Sequence, residues 1–112
     1  MNLKDFKRKA KLIRDNDVYQ VYDLKELENL TLSLTELKPH KSTTGHSHNT
    51  ADEIYIFISG KGEVEIGGSR EKVIKGDVLL VPRGNFHRVW NIGWQPLKFW
   101  AIFEKYEGRG LE

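Results

Sequence analysis

The stretch His46–Gly60, which reads HSHNTADEIYIFISG, contains the pattern that decides the fold. From Glu53 to Ser59 the side chains alternate between two faces, as they do along a β-strand. One face carries three isoleucines, and the other carries Glu53, Tyr55 and Phe57. We expect the face of Glu53 to point inward. The residues of this strand alone leave the reversed register open, in which the isoleucines would be buried and Glu53 would face solvent.

Similar short runs lie on both sides of this stretch and are separated by glycine, proline and polar turns. Short strands at such spacing are typical of an antiparallel sandwich or barrel. No internal repeat interrupts the pattern, and no helical period persists after residue 14. The predicted fold class is therefore all-β. We predict the remaining strands at 17–22, 30–35, 63–66, 73–74, 78–81, 87–91 and 97–103.

The chain has 112 residues and a mass of 13.0 kDa, which suits a single domain. It contains no cysteine, so disulfide bonds and thiolate chemistry are excluded. No apolar run is long enough for a transmembrane helix, and the N-terminus lacks the pattern of a secretory signal. We therefore expect a soluble cytoplasmic protein.

The N-terminal segment differs from the rest in charge. Six basic residues against Asp5 alone give the first 14 residues a net charge of +5, whereas the remainder carries −3. Such a segment can bind nucleic acid, but no recognised reader motif accompanies it, and we predict neither a nucleic-acid nor a membrane partner. We divide the chain into a basic arm, 1–16, and one domain, 17–112. An apolar stripe at helical spacing predicts that the arm docks on the domain: Leu3, Phe6, Ala10 and Ile13.

Three histidines and one glutamate lie in segments that alternation directs inward. His46 and His48 are two residues apart and share one face of an extended segment. Glu53 opens the next strand, and His87 opens another. Neutral imidazole nitrogen and carboxylate oxygen both bind divalent cations, and strands can hold them around one cavity. A single His-x-His pair is a weak signal, so the joint pattern carries the argument.

This joint pattern resembles a known family. The stretch His46–Gly60 resembles the first sequence motif of the cupin superfamily. The stretch Gly76–Asn91, which reads GDVLLVPRGNFHRVWN, is similar to the second motif, with Gly76, Pro82 and His87 at the motif spacing. The resemblance covers nearly the whole chain after the arm and identifies a small single-domain cupin.

The resemblance implies a jelly-roll β-barrel with a short N-terminal arm that is helical or extended. It also implies one divalent transition metal (Mn, Fe, Co, Ni, Cu or Zn), with four ligands: His46, His48, Glu53 and His87. Two positions of an octahedral shell would stay open for a small-molecule ligand. Such a centre suits hydroxy-carbonyl compounds, whose developing negative charge it stabilises. The expected cavity wall is apolar: Tyr55, Phe57 and Val89 with some of Leu97, Phe99, Ala101 and Phe103.

Three functions fit this site. The first is isomerisation of a sugar, sugar acid or other hydroxy-carbonyl compound, with Tyr55 and His40 as candidate proton-transfer residues. The second is metal-dependent dioxygenation, and the third is non-catalytic binding of a small ligand. His40 occupies a position where the family usually has glycine, six residues before the first histidine. That departure leaves it either at the cavity mouth or as an exposed loop residue.

The outer face of the barrel predicts self-association. With Glu53 inward, Ile54, Ile56 and Ile58 point outward and form an apolar patch of the kind that monomers usually avoid. Trp90 and Trp100 alternate to the same outer side, where they would pack against the arm or a second subunit. We expect a homodimer in which the arm also contributes to the cover.

Overall fold

The structure is a computed structural model, and it describes residues 1–110. Within these residues the chain forms one short helix and nine strands, which confirms the all-β prediction. The last two residues of the predicted domain 17–112 lie outside the described part of the chain. The helix is α1 (Leu3–Lys9), and the strands are β1 (Lys11–Asp15), β2 (Tyr19–Leu24), β3 (Leu30–Leu37), β4 (Glu53–Ser59), β5 (Lys61–Ile66), β6 (Ser69–Ile74), β7 (Val78–Val81), β8 (His87–Asn91) and β9 (Leu97–Glu104).

The strands form two antiparallel sheets that enclose the core. The larger sheet has the order β1-β2-β3-β9-β4-β7, and the smaller has the order β6-β5-β8. Buried apolar side chains from both sheets form one cluster between them, with Phe57 and Phe99 from the larger sheet and Val64 and Val89 from the smaller. This arrangement is the jelly-roll barrel predicted from the sequence motifs.

The arm begins with α1, which docks on the outer face of the larger sheet. The Asn2 side chain accepts a hydrogen bond from the amide of Asp5 at 2.8 Å and caps the helix. Phe6 is buried and meets Trp100 edge to face, with ring centroids 4.7 Å apart. Leu3 and Ala10 pack against the same cluster. Docking of the arm, and the outward position of Trp100 beneath it, are therefore confirmed.

The prediction for Ile13 is wrong, because the helix ends at Lys9 and the chain continues as β1. Ala10 is already extended, with φ −76° and ψ 159°. β1 pairs with β2 at the edge of the larger sheet, which satisfies the backbone groups on the side that faces β2. Ile13 lines the cavity inside the barrel instead of extending the apolar stripe of the helix. The division of the chain at residue 16 stays a prediction.

The register of β4 follows the predicted orientation. Glu53 is 5% exposed, and Tyr55 and Phe57 are also buried, whereas Ile54 is 37% exposed. Across the sheet, the inner row that begins with Tyr55 runs through Ala101, Ser33 and Asp23. The inner face of this sheet therefore carries both polar and apolar side chains.

The outer isoleucines have two different environments. Ile58 packs against the cluster under α1, so the arm covers it. Ile54 lies opposite Leu80 on β7, and Val78 lies two residues before Leu80. Ile54, Val78 and Leu80 are 37%, 55% and 69% exposed, and we call these three residues the β4–β7 patch.

A membrane-spanning helix is not found among residues 1–110, since none there has the necessary length and apolar character.

Candidate metal centre

Backbone pairing brings the two histidine segments together. The amide of His87 donates to the carbonyl of His46 at 2.9 Å, and the amide of His46 donates back at 3.2 Å. The loop that carries His46 and His48 therefore runs beside β8 and pairs with it through an isolated antiparallel β-bridge. Further along it, the carbonyl of His48 accepts a hydrogen bond from the amide of Gly84, just before β8. This pairing fixes both histidines of the loop relative to His87.

The three imidazole rings form a compact cluster. Their centroids are separated by 4.7 Å between His46 and His48, 4.6 Å between His46 and His87, and 5.3 Å between His48 and His87. One ring nitrogen of each lies within 4.8 Å of the others. His48 and His87 are buried, and His46 is half-buried at the cavity side.

Glu53 points into this cluster from β4. Its Oε2 lies 3.0 Å from Nε2 of His87 and 3.6 Å from Nε2 of His48. The structure thus brings all four sequence-predicted ligands together, from a loop and from both sheets. A buried carboxylate beside several imidazoles is costly unless a charge compensates it, so the arrangement favours a cation.

Two of the rings have a defined orientation. Nδ1 of His46 lies 3.1 Å from the carbonyl oxygen of Thr44, and Nδ1 of His87 lies 3.1 Å from that of Asn85. A carbonyl oxygen can only accept, so each Nδ1 donates its proton and the lone pair of the neutral ring is on Nε2. A backbone acceptor on the far nitrogen is the usual support of a metal-ligating histidine.

A cavity open to solvent borders this cluster. His46, Glu53 and Tyr55 form one wall, together with Phe99 and Ala101 from β9. The Tyr55 ring centroid lies 6.1 Å from that of His87. The other predicted wall residues are in the buried core: Phe57, Val89, Leu97 and Phe103.

Comparison with known proteins agrees with this geometry. The profile of the cupin domain matches residues 33–103, which is well over half of the chain. The chain belongs to the cupin family. Both motif segments and all four clustered side chains lie within the matched residues.

Three proteins that are similar to this cupin differ from one another in chain length and in name. It is 36% identical over 110 residues to a glucose-6-phosphate isomerase of Thermococcus gammatolerans, covering 83% of this chain and 58% of that protein. Among solved structures, an oxalate decarboxylase of Bacillus subtilis superposes with a TM-score of 0.79 at 26% identity, over 88% of this chain and 28% of that one. KdgF of Halomonas sp. superposes with a TM-score of 0.77 at 18% identity, over 86% and 89%, and shows the fold alone.

The chain spans about half the length of the curated relatives that it matches, from 42% to 58% for the first of them.

His40 is not brought to the candidate metal centre. Its ring is exposed and meets Trp94 edge to face at 4.2 Å between centroids. The neighbouring Lys41 carbonyl accepts from the amide of Asn91, at the opposite end of β8 from His87. Those two ends are about 13 Å apart along the strand. The prediction of His40 as a proton-transfer residue is therefore corrected: it is the exposed loop residue of the two alternatives.

The backbone of His40 explains the glycine that cupins usually have at this position. His40 has φ of 60°, in the left-handed region that favours glycine. Histidine can adopt this conformation, at a cost of about 1 kcal/mol or somewhat more relative to an ordinary backbone conformation. The loop thus keeps the shape of the motif despite the substitution.

The segment after β9 covers the candidate metal centre, which the sequence motifs do not predict. The Tyr106 ring lies against the His48 ring, with centroids 4.1 Å apart. Three residues later, Arg109 donates to both carboxylate oxygens of Asp23, at 3.0 and 2.9 Å, and to Ser33 Oγ at 3.1 Å. Asp23 is fully buried on the inner face of the larger sheet. This ion pair anchors the segment inside the barrel.

Arg109 keeps its positive charge in this position. Burial lowers the pKa of its guanidinium, but the hydrogen bond and the charge of Asp23 raise it by more, so the net shift is upward. The Phe103 ring adds a cation–π contact, with the guanidinium carbon 4.6 Å from its centroid. The alternation of β2 contains a weak signal for this site, because Asp23 shares the inward face with Tyr19 and Val21.

The four clustered residues fit a divalent transition metal. Three imidazole nitrogens and one carboxylate oxygen are donor types that such metals accept. Glu53 Oε2 lies 3.0 Å from His87 Nε2 and 3.6 Å from His48 Nε2, so these side chains are close enough to hold one cation together. The chemistry that this donor set allows is Lewis-acid or redox chemistry on a small ligand in the cavity.

Proposed function

We propose that His46, His48, Glu53 and His87 hold one divalent transition metal. One observation carries this proposal: four donor side chains from separate elements converge, and Glu53 Oε2 lies within 3.6 Å of two imidazole Nε2 atoms. The carbonyl partners of two Nδ1 atoms support the ligand tautomer. The donor set accepts Mn, Fe, Co, Ni, Cu or Zn, because the ligand types are common to all of them.

We propose further that the protein is an enzyme that isomerises a small hydroxy-carbonyl compound, such as a sugar or sugar acid. A divalent metal bound here supplies Lewis-acid stabilisation of negative charge on the substrate oxygens. Tyr55 is the residue that we assign to proton transfer, because its buried side chain lines the cavity wall beside His87. Phe99 and Ala101 make part of that wall apolar. Similarity to a glucose-6-phosphate isomerase over most of this chain supports the reaction class.

The experiment is a substrate screen on protein loaded with each candidate metal separately. Aldose–ketose conversion is measured by NMR, with oxygen consumption recorded in parallel. Isomerised product without oxygen uptake is expected, and Tyr55→Phe should lower its rate by about 100-fold or more, the usual contribution of a positioned acid or base. Oxygen uptake would instead indicate a dioxygenase. Saturable binding without turnover across the panel would indicate a non-catalytic ligand-binding module.

We also propose that the protein is a homodimer whose subunits meet at the β4–β7 patch. Three large apolar side chains on neighbouring strands, of which two are more than half exposed, support self-association. Light scattering at micromolar concentration tests this proposal. Leu80→Asp should convert a dimer into a monomer, while Ile74→Asp, which is outside the patch but is also exposed, should not. A monomeric intact chain would overturn it.

A further inference from the structure

A close contact joins the residues that directly precede two of the clustered histidines. Gly45 precedes His46 in the loop, and Phe86 precedes His87 at the start of β8. A β-carbon built on Gly45 would lie 2.0 Å from Cζ of Phe86 and 2.6 Å from its Cε2. Carbon atoms in contact normally stay about 3.5–4.0 Å apart. The edge of the Phe86 ring therefore occupies the space that any side chain on Gly45 would need.

Space, and not a left-handed backbone, is the reason for glycine at this position. Gly60 and Gly76 have positive φ angles of 84° and 96°, a conformation that favours glycine whatever its surroundings. Gly45 does not have a positive φ. An alanine in place of Gly45 would lose the close approach of the Phe86 ring, whichever of the two segments moved to relieve the clash.

The ring lies on the outer side of the bridge between the loop and β8. Phe86 is 42% exposed, whereas His87, the next residue, is 2% exposed. Gly45 is half-buried. Neither Gly45 nor Phe86 lines the cavity. The ring therefore packs on the loop backbone from the solvent side, and the imidazole of His87 is inside the barrel.

The contact lies between each histidine and the carbonyl group that orients it. The Nδ1 atoms of His46 and His87 each lie 3.1 Å from the carbonyl oxygen two residues earlier in the chain. Gly45 and Phe86 are the residues between the imidazole and that carbonyl in their two segments. A shift of either segment would move one imidazole, together with its acceptor, relative to the other. Functional side chains must be held to within about 0.5 Å of the productive geometry.

We infer that Gly45 and Phe86 are positioning residues that set the spacing between His46 and His87 in the proposed metal centre. The backbone bridge aligns the two segments along β8, and the contact of the ring with Gly45 limits how they move against each other on the outer side. This inference rests on the proposed function, since the spacing matters for a bound metal. The contact itself is made by the chain alone.

A double-variant cycle on the full-length chain tests the inference with Co²⁺ as the probe. The Kd is measured by competition with a chelator, and the visible absorption of bound Co²⁺ reports the ligand geometry. Gly45→Ala and Phe86→Ala should each weaken Co²⁺ binding by about tenfold or more, the usual effect of changing a group that orients metal ligands, and should shift the absorption spectrum. The two losses should not add in the double variant, because both changes remove the same contact.

Hydrogen exchange gives a readout on the metal-free protein. The amide of His46 donates to the carbonyl of His87 at 3.2 Å across the bridge. Phe86→Ala should speed the exchange of this amide, because the bridge then opens more often. Circular dichroism first shows that each variant is folded. If Gly45→Ala does not fold, Phe86→Ala alone decides the test, through its Kd and its Co²⁺ spectrum.

Ile92→Ala and Gly93→Ala are the matched controls, directly after β8 and at the end of that strand away from His87. Ile92 is 39% exposed, which is close to the value for Phe86. A β-carbon on Gly93 would first meet the flexible side chain of Lys61, at 3.2 Å. Both controls should keep the Co²⁺ affinity and the spectrum of the intact chain.

The outcomes separate this inference from the metal proposal. Equal Co²⁺ affinity and spectrum in the intact chain and in Phe86→Ala, or losses that add fully in the double variant, would overturn the inference while the metal centre stands. Faster exchange of the His46 amide without a change in Co²⁺ affinity would also overturn it, because the contact would then be structural only. An intact chain that binds no Co²⁺ would overturn the proposed metal centre and the positioning role with it.

Discussion

The barrel contains two buried polar clusters that differ in how their charges are arranged. In the first, Asp23 and Arg109 meet in a bidentate ion pair, and Ser33 Oγ accepts a further hydrogen bond from the guanidinium. In the second, a carboxylate oxygen of Glu53 and ring nitrogens of three histidines lie close together. The first cluster is complete within the chain, whereas the second is made of groups that a cation would join. The pair of Asp23 and Arg109 is therefore a structural site, and the histidine cluster is a candidate functional site.

The two clusters also differ in the distance along the sequence that each bridges. Three members of the histidine cluster lie between His46 and Glu53, and only His87 comes from further along the chain. Asp23 and Arg109 are 86 residues apart. The ion pair therefore ties the segment after β9 to the inner face of β2, and it holds Tyr106 over His48.

The largest expected effect comes from breaking the structural ion pair. Arg109→Ala leaves the fully buried carboxylate of Asp23 without its guanidinium and should lower the free energy of unfolding by about 3 kcal/mol. Urea denaturation followed by circular dichroism measures this change. The double variant Asp23→Leu with Arg109→Leu should recover much of the loss, since it removes both charges. A change below about 1 kcal/mol for Arg109→Ala, the range of exposed ion pairs, would contradict a structural role.

The second prediction concerns metal binding at the histidine cluster. A metal that binds only the folded protein should raise the free energy of unfolding by about 2.7 kcal/mol at a free concentration of about 100 times its Kd. Thermal melts with and without added divalent metal test this prediction. His87→Ala should show little of this increase, while Arg109→Ala should keep it on a lower baseline. An equal metal-induced increase in intact protein and His87→Ala would contradict the ligand assignment.

Much of the second cluster could be predicted from the sequence, because its signals are local. Alternation in β4 places Glu53 on one face with Tyr55 and Phe57, and the joint pattern with the histidines favours the inward direction of that face. The strands at 78–81 and 87–91 have the predicted bounds. The first cluster has no local signal for its partner. An inward Asp23 could pair with any lysine or arginine side chain. Arg109 is the partner because the chain after β9 brings it to Asp23.

The missed strand β1 has a different cause. Ile13 fits the helical stripe of the arm and also fits a strand, so short-range periodicity does not distinguish them. Pairing with the open edge of β2 decides in favour of the strand. The register shift between Leu12 and Arg14 follows from this pairing and is likewise absent from any local pattern.

A smaller effect is expected from the link between the two clusters. Tyr106→Ala removes the ring from His48 and should lower the free energy of unfolding by about 1 kcal/mol, the usual contribution of an aromatic pair. It should also speed removal of bound metal by a chelator, since Tyr106 covers His48. Tyr106→Phe keeps the ring and is the matched control. Identical chelation rates for the alanine variant and the intact chain would show that the segment does not shield the site.

The smallest effect concerns the loop that carries the first two histidines. His40→Gly relieves a positive φ and should raise the free energy of unfolding by up to about 1 kcal/mol. Denaturation curves measure it, with His40→Ala as the control that keeps the backbone strain. A destabilised His40→Gly would indicate that the contact with Trp94 outweighs the strain.

The central claim is that four convergent side chains hold one metal. The most direct measurement is the metal content of purified protein by elemental analysis, compared between the intact chain, His87→Ala and His40→Ala, with all three first shown to be folded by circular dichroism. We expect a single metal ion per chain in the intact protein and in His40→Ala, and a much lower content in His87→Ala. Equal occupancy in His87→Ala and His40→Ala would contradict it.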